Sequence, residues 1–175
     1  PGTGSGDHDH TFVRRGQETR LAIVDRTRDG VQVASGLGGL VILKTTGSEF
    51  KGFLRDEYTT LPEADDRILA TSLDATWRHV EVPGDWDASY ADVRRLVTTT
   101  FATTYSRALQ ETLYAMGRAV LEAHAGIAEI SFAAPNKHHF LVDLSPFGLE
   151  NPGEVFVAAD RPYGLIEATV TRSDR

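Results

Sequence analysis

Apolar residues in this chain recur at every second position, then at every third or fourth, then at every second again, and that order restricts the architecture more than any single motif. Over residues 68–82 the alternation puts Leu69, Thr71, Leu73, Ala75 and Trp77 on one face of a strand. The period then changes: Tyr90, Val93, Leu96, Val97 and Phe101 fit one helix, with Asp87 as its expected cap. Leu109, Leu113, Met116, Val120 and Ala123 fit a second helix, with Ser106 as its expected cap and an end near residues 124–126. Strand character returns over 127–132, 140–144, 155–157 and 165–170. Ahead of the first helix, residues 10–13, 19–24 and 31–34 also read as strands, and Asp29-Gly30 between the last two is a hairpin signal. The glycines at 36, 38 and 39 are expected to break the chain before a further strand over 40–46. Strands, two helices and strands again predict an α+β fold, an antiparallel sheet covered on one face by a helix pair.

Charge and composition narrow the function. The chain of 175 residues carries 18 basic and 25 acidic side chains, a formal charge of −7. That balance opposes a general nucleic-acid binder, which needs a concentrated basic face, but leaves room for one Arg to hold a small anion. With no cysteine, thiolate nucleophiles, disulfides and zinc–sulfur sites are excluded. The apolar stretches fall far short of the roughly 18 residues that span a bilayer, and a soluble protein from a reducing compartment is expected. Residues 1–6 read as a linker or loop end.

Several polar groups admit both a functional and a structural explanation. His8 and His10 alternate on a strand and could face one metal, although no third ligand lies nearby. His138 and His139 are adjacent, so in a strand they point to opposite faces. The segment Pro135-Asn136-Lys137-His138 is dense in polar function, although a turn entering an edge strand is the first reading of the residues alone. Arg67 follows Glu63, Asp65 and Asp66 just before a strongly apolar strand, and on the residues alone reads first as a surface charge after a loop. Leu109 and Gln110 lie in a helix's first turn, where free backbone N–H groups favour anions. No Gly-x-Ser-x-Gly elbow is present, and the glycine-rich segment precedes a strand instead of a helix, which fits no phosphate loop.

Residues 40–53, Leu-Val-Ile-Leu-Lys-Thr-Thr-Gly-Ser-Glu-Phe-Lys-Gly-Phe, with Tyr58, Leu61 and Arg67, resemble the diagnostic motif of the urate oxidase (uricase) family. So do His8-Asp9-His10-Thr11-Phe12, Leu109-Gln110-Glu111-Thr112-Leu113-Tyr114 and Pro135-Asn136-Lys137-His138. The four motifs keep their order from about residue 7 to the C-terminus. The resemblance implies the T-fold, or tunnelling fold, and residues 7–175 would form the second of the two such units in a subunit. It also implies a homotetramer with active sites between subunits, and chemistry that uses neither metal nor organic cofactor.

Carried over by motif, Phe50 stacks on the purine, Arg67 clamps it, and Gln110 with the backbone N–H of Leu109 bonds its opposite edge. The family commonly has Val where Leu109 stands, a change that main-chain bonding tolerates. Asn136 holds O₂ or water above the ring, His138 relays protons, and His139 is structural. The implied reaction is urate with O₂ and water giving 5-hydroxyisourate and hydrogen peroxide. The family's proton-abstracting Lys–Thr pair belongs to the first unit, and Lys44 is no substitute, so activity is expected only with an N-terminal half. A non-catalytic purine-binding or assembly module has no use for Asn136 and His138. A pterin-handling enzyme fits less well, because Glu111 is an imperfect ring clamp and zinc ligands are missing. The terminal Ser173-Asp174-Arg175 differs from the peroxisomal tripeptide of eukaryotic members, so a bacterial, cytoplasmic enzyme is expected.

Overall fold

Each change of period becomes a change of element. The structure, a computed structural model, describes residues 8–159 and 161–172; the expected linker and the C-terminal tripeptide lie outside them. In chain order the elements are β1 (Thr11–Val13), β2 (Thr19–Thr27), β3 (Gly30–Lys44), β4 (Leu69–His79), α1 (Trp86–Thr103), α2 (Leu109–Ala123), β5 (Ile127–Pro135), β6 (His139–Leu141), a 3₁₀ turn (Ser145–Phe147), β7 (Phe156–Ala158) and β8 (Leu165–Thr171). Every strand pairing is antiparallel. β3, β4, β5 and β8 lie side by side, and β1 and β2 share the outer edge of β3, against its end and its beginning respectively. β6 and β7 pair with each other as a separate ribbon instead of extending the sheet.

The core is where the alternation placed it. Leu69, Thr71, Leu73, Ala75 and Trp77 of β4 are all buried, and the four apolar ones join Val93, Val97 and Phe101 of α1 and Leu113, Met116 and Val120 of α2 in one cluster with β3 and β5. A fully buried side chain of this size contributes about 1.5–3 kcal/mol, so this layer dominates the stability of the fold. α2 approaches β8 closely enough that a Cβ on Gly117 would sit 2.5 Å from Val170 Cγ2. Among the described residues no helix is long and apolar enough to cross a membrane.

Three local expectations change. The glycines do not interrupt β3, which runs unbroken from residue 30 to 44. Gly38 and Gly39 instead form a bulge opposite Asp74, whose carboxylate accepts the Gly39 N–H at 2.7 Å, and Gly39 takes a φ of 69°. A Cβ on Gly36 would meet the Ala75 carbonyl oxygen at 2.8 Å, so close strand approach explains that glycine. The cap of α1 is Asp85, not Asp87: its carboxylate accepts the N–H groups of Asp87 and Ala88, while Asp87 pairs with Arg20. Nor does Ser106 cap α2, whose first turn starts after Ala108. Its buried hydroxyl accepts from Thr112 Oγ1 at 2.8 Å and donates to the Ala108 carbonyl at 3.1 Å.

Candidate active site

The site is organised by a strap, residues 46–50, that leaves the end of β3. Backbone bonds fasten it on both sides. Phe50 exchanges N–H and carbonyl with Ala64 at 2.8 and 2.9 Å, and Arg67 N–H donates to the Ser48 carbonyl at 2.7 Å. Toward α2, the Ser106 N–H donates to the Gly47 carbonyl and the Glu49 N–H to the Ser106 carbonyl, each at 2.9 Å. The strap therefore joins the chain entering β4 to the chain entering α2, which brings sequence-distant motifs to one place.

Phe50 and Arg67 meet there. The guanidinium carbon lies 5.5 Å from the Phe50 ring centroid, within cation–π range. Arg67 Nε donates to the Glu49 carbonyl at 3.2 Å. That bond fixes the plane of the fork, while its two terminal nitrogens carry no ion pair among the described residues. Burial pushes the Arg67 pKa down, a sign that water already solvates this cation poorly. Phe50 stacks on Phe53, with centroids 4.5 Å apart and planes 21° from parallel, and so presents a supported aromatic face.

His138 lies within the electrostatic reach of Arg67. Its pKa is lowered first by burial, then by the Arg67 charge and then by His139, so the imidazole is held neutral and able to accept a proton. The backbone places it: the Asn136 N–H donates to the Gly164 carbonyl and the Lys137 N–H to the Ala70 carbonyl, both at 2.9 Å, so this segment docks three residues beyond Arg67. Asn136 Oδ1 is buried without a hydrogen-bond partner among the described residues, an acceptor whose desolvation is uncompensated within the chain. His139 begins β6, and its Nδ1 lies 3.3 Å from the Lys137 carbonyl.

The first turn of α2 closes the other side. Leu109 is buried and anchors the helix in the core, whereas Gln110 is exposed, and the turn's leading N–H groups have no partner within the helix by geometry. The strap reaches this turn through Ser106, so Phe50 and Arg67 meet directly, Leu109 and Gln110 are tied to them through one residue, and His138 lies within electrostatic reach of Arg67.

The uricase family model matches residues 33–167, from β3 into β8. This chain belongs to the uricase family. The uricase of Arthrobacter globiformis is 58% identical over 166 residues, which are 95% of this chain and 55% of that protein. The uricase of Aspergillus flavus is 42% identical over an aligned length of 180, gaps included, that covers 95% of this chain and 60% of the relative. The crystal structure of the A. globiformis uricase superposes with a TM-score of 0.89 at 57% identity, covering 97% of this chain and 59% of that one. A Bacillus sp. TB-90 urate oxidase structure superposes at 0.69 with 29% identity, covering 89% of this chain and 55% of its own. The fold is thus the T-fold of uricases, and the chain spans less than two thirds of the relatives it matches.

Within this uricase-family chain, other sequence candidates are not drawn into the site. His10 is exposed, its Nδ1 3.5 Å from Thr45 Oγ1, and no cluster suited to a metal ion forms among the described residues. A cavity of about 320 Å³ beside the strap is lined by His8, His10, Lys44, Thr46 and Tyr105 among others, none of them expected to meet the purine or O₂. Reading the sequence also missed Glu49 and Asp66, whose roles run through backbone groups. Tyr105 donates its hydroxyl to the Glu49 carboxylate at 2.7 Å, which steadies the residue whose carbonyl aims Arg67. The available signal was that Asp66, directly before the candidate Arg67, is a residue type that binds local N–H groups.

Proposed function

We propose that this chain is the second T-fold unit of a uricase subunit and binds urate, which the assembled enzyme oxidises with O₂ and water to 5-hydroxyisourate and hydrogen peroxide. The observation that carries this reading is the Arg67 fork. It is half-buried, aimed by its Nε bond to Glu49, set over Phe50, and free of any carboxylate among the described residues. A planar anion with a carbonyl oxygen beside a ring nitrogen satisfies both terminal nitrogens at once while its face rests on Phe50. Gln110 and the Leu109 N–H take the opposite edge. Urate deprotonated in this field is electron-rich enough to reduce O₂ directly. The remaining work is to hold O₂ or water over the ring, which we assign to Asn136, and to move protons there, which we assign to neutral His138.

The proton-abstracting pair comes, in this proposal, from an N-terminal half, and copies of the subunit complete the site as a homotetramer. Exposed apolar residues on the β2–β3 hairpin (Ile23, Val24, Val31) and the β6–β7 ribbon (Phe140, Leu141, Val157) support burial against further protein. A cytoplasmic location belongs to the same proposal and is read by fractionating the native cells. The deciding experiment joins the chain to an N-terminal half and titrates urate without O₂ by calorimetry. Arg67→Ala removes two charge-assisted hydrogen bonds, so affinity should fall about 100-fold or more. Urate binding within threefold of the parent by that variant would refute the clamp.

A further inference from the structure

We infer that Asp66 is a positioning residue that sets the distance between the stacking face of Phe50 and the fork of Arg67; its functional consequence rests on the purine clamp proposed above. Three donors converge on its carboxylate. Oδ1 accepts the Ser48 N–H at 3.3 Å and the Arg67 N–H at 3.1 Å, and Oδ2 accepts the Thr46 hydroxyl. Two of those donors belong to the strap and the third to Arg67 itself. The same Arg67 N–H also reaches the Ser48 carbonyl, so the two segments are locked by a backbone bond and a side-chain bridge at one point.

Residues 51–63 form the loop between Phe50 and Ala64, and its mouth is closed by the Phe50–Ala64 pair and by Asp66. Holding the ends of such a loop together opposes its conformational entropy, and a bridge at the mouth is where that entropy acts on geometry. Phe50 lies two residues beyond Ser48 and Arg67 one beyond Asp66, so slack at this bridge appears directly as a change in the spacing of ring and guanidinium. The bridge has a second effect. Asp66 is adjacent in sequence to Arg67, yet its carboxylate is occupied by N–H and O–H donors and forms no ion pair with the guanidinium among the described residues. A carboxylate released from these bonds sits one residue from the fork and competes with an anionic ligand for it.

The test compares Asp66→Ala and Asp66→Asn, with Thr46→Val as a milder variant that removes one strut. Asparagine keeps an oxygen that accepts both backbone N–H groups and so separates hydrogen bonding from charge. The first readout is amide hydrogen exchange of the chain, which does not depend on any substrate. Asp66→Ala should lose about tenfold protection at Ser48 and Arg67 while the β5 amides stay as in the parent, and Asp66→Asn should stay within about threefold. The second readout is urate turnover in the assembled enzyme, where Asp66→Ala should raise KM about tenfold with a smaller change in kcat, Thr46→Val should raise it less, and Asp66→Asn should restore it. If the parent exchanges as expected but does not consume urate, the urate reading fails and the positioning role stands. Unchanged protection of Ser48 and Arg67 in Asp66→Ala overturns the inference, as does an Asp66→Asn variant as impaired as Asp66→Ala.

Discussion

Lys44 offers the sharpest test of how this fold is held together beside its site. It continues the inward alternation of Leu40 and Ile42 on β3, so the register that builds the core also places an ammonium in it, only 2% exposed. Nζ donates to the carbonyl of Thr104, the cap at the end of α1, and lies 5.6 Å from the Phe101 ring. Burial lowers its pKa from 10.5 to about 8, against a smaller opposing effect of Asp66. Between those values the folded chain has released the proton and the unfolded chain has kept it, so stability rises with pH. At about 1.4 kcal/mol per pH unit, the gain from pH 7.5 to 9.5 is about 2 kcal/mol. Lys44→Met keeps the length of the stem and removes both the charge and the bond to Thr104. At pH 7.5 the relief of desolvation and the loss of the bond offset each other to within about 1 kcal/mol. At pH 9.5 the variant should be the less stable by about 2 kcal/mol. Urea unfolding of both chains at four pH values measures this, and the difference between the curves cancels every other titrating group. Parallel curves for the two chains would show that Lys44 is solvated and that its place in the core is wrong.

Gly117→Ala gains helix propensity of about 1 kcal/mol but drives a methyl into Val170, so a net loss of 1–3 kcal/mol is expected by thermal unfolding. Pairing it with Val170→Ala should recover part of that loss relative to the sum of the single changes. Asp85→Ala removes the acceptor for two N–H groups of α1 and should cost about 1 kcal/mol, whereas Asp87→Ala, which loses an exposed ion pair, should cost less than about 0.5 kcal/mol in the same assay. His138→Ala in the assembled enzyme should lower kcat more than it raises KM. It should also abolish the acid limb of the kcat/KM profile, which lies below the ordinary histidine range because burial, Arg67 and His139 all disfavour the imidazolium of the free enzyme. A change confined to KM would assign His138 to binding instead.

The parts of the fold that the sequence made legible are those in which each residue answers to its neighbours at fixed spacing. The five inward positions of β4 and the inner stripes of both helices follow from period alone; the apolar β4 positions and the stripes meet in one core, with Tyr90 and Leu96 at its margin, except Ala123, which is exposed at the end of α2. Where the deciding partner is distant, local reading fails. Gly36 and Gly39 look like chain breakers, but what they answer to is the Ala75 carbonyl and the Asp74 carboxylate on the next strand. Ser106 has the chemistry of a cap, yet a hydroxyl six residues on and the strap compete for it. The site lies further still from local legibility. Nothing in the spacing of Phe50 and Arg67 says that they touch; the contact exists because Phe50 pairs with Ala64 and Ser48 with Arg67, a short ladder that carries no apolar pattern of its own. Family resemblance named the residues proposed to meet a ligand because side-chain chemistry is what a motif displays. It passed over Asp66 and Glu49 because their partners are backbone N–H and carbonyl groups, which every residue has and no motif records. The residues of the proposed clamp are therefore written in side chains, while the distance between them is written in backbone bonds.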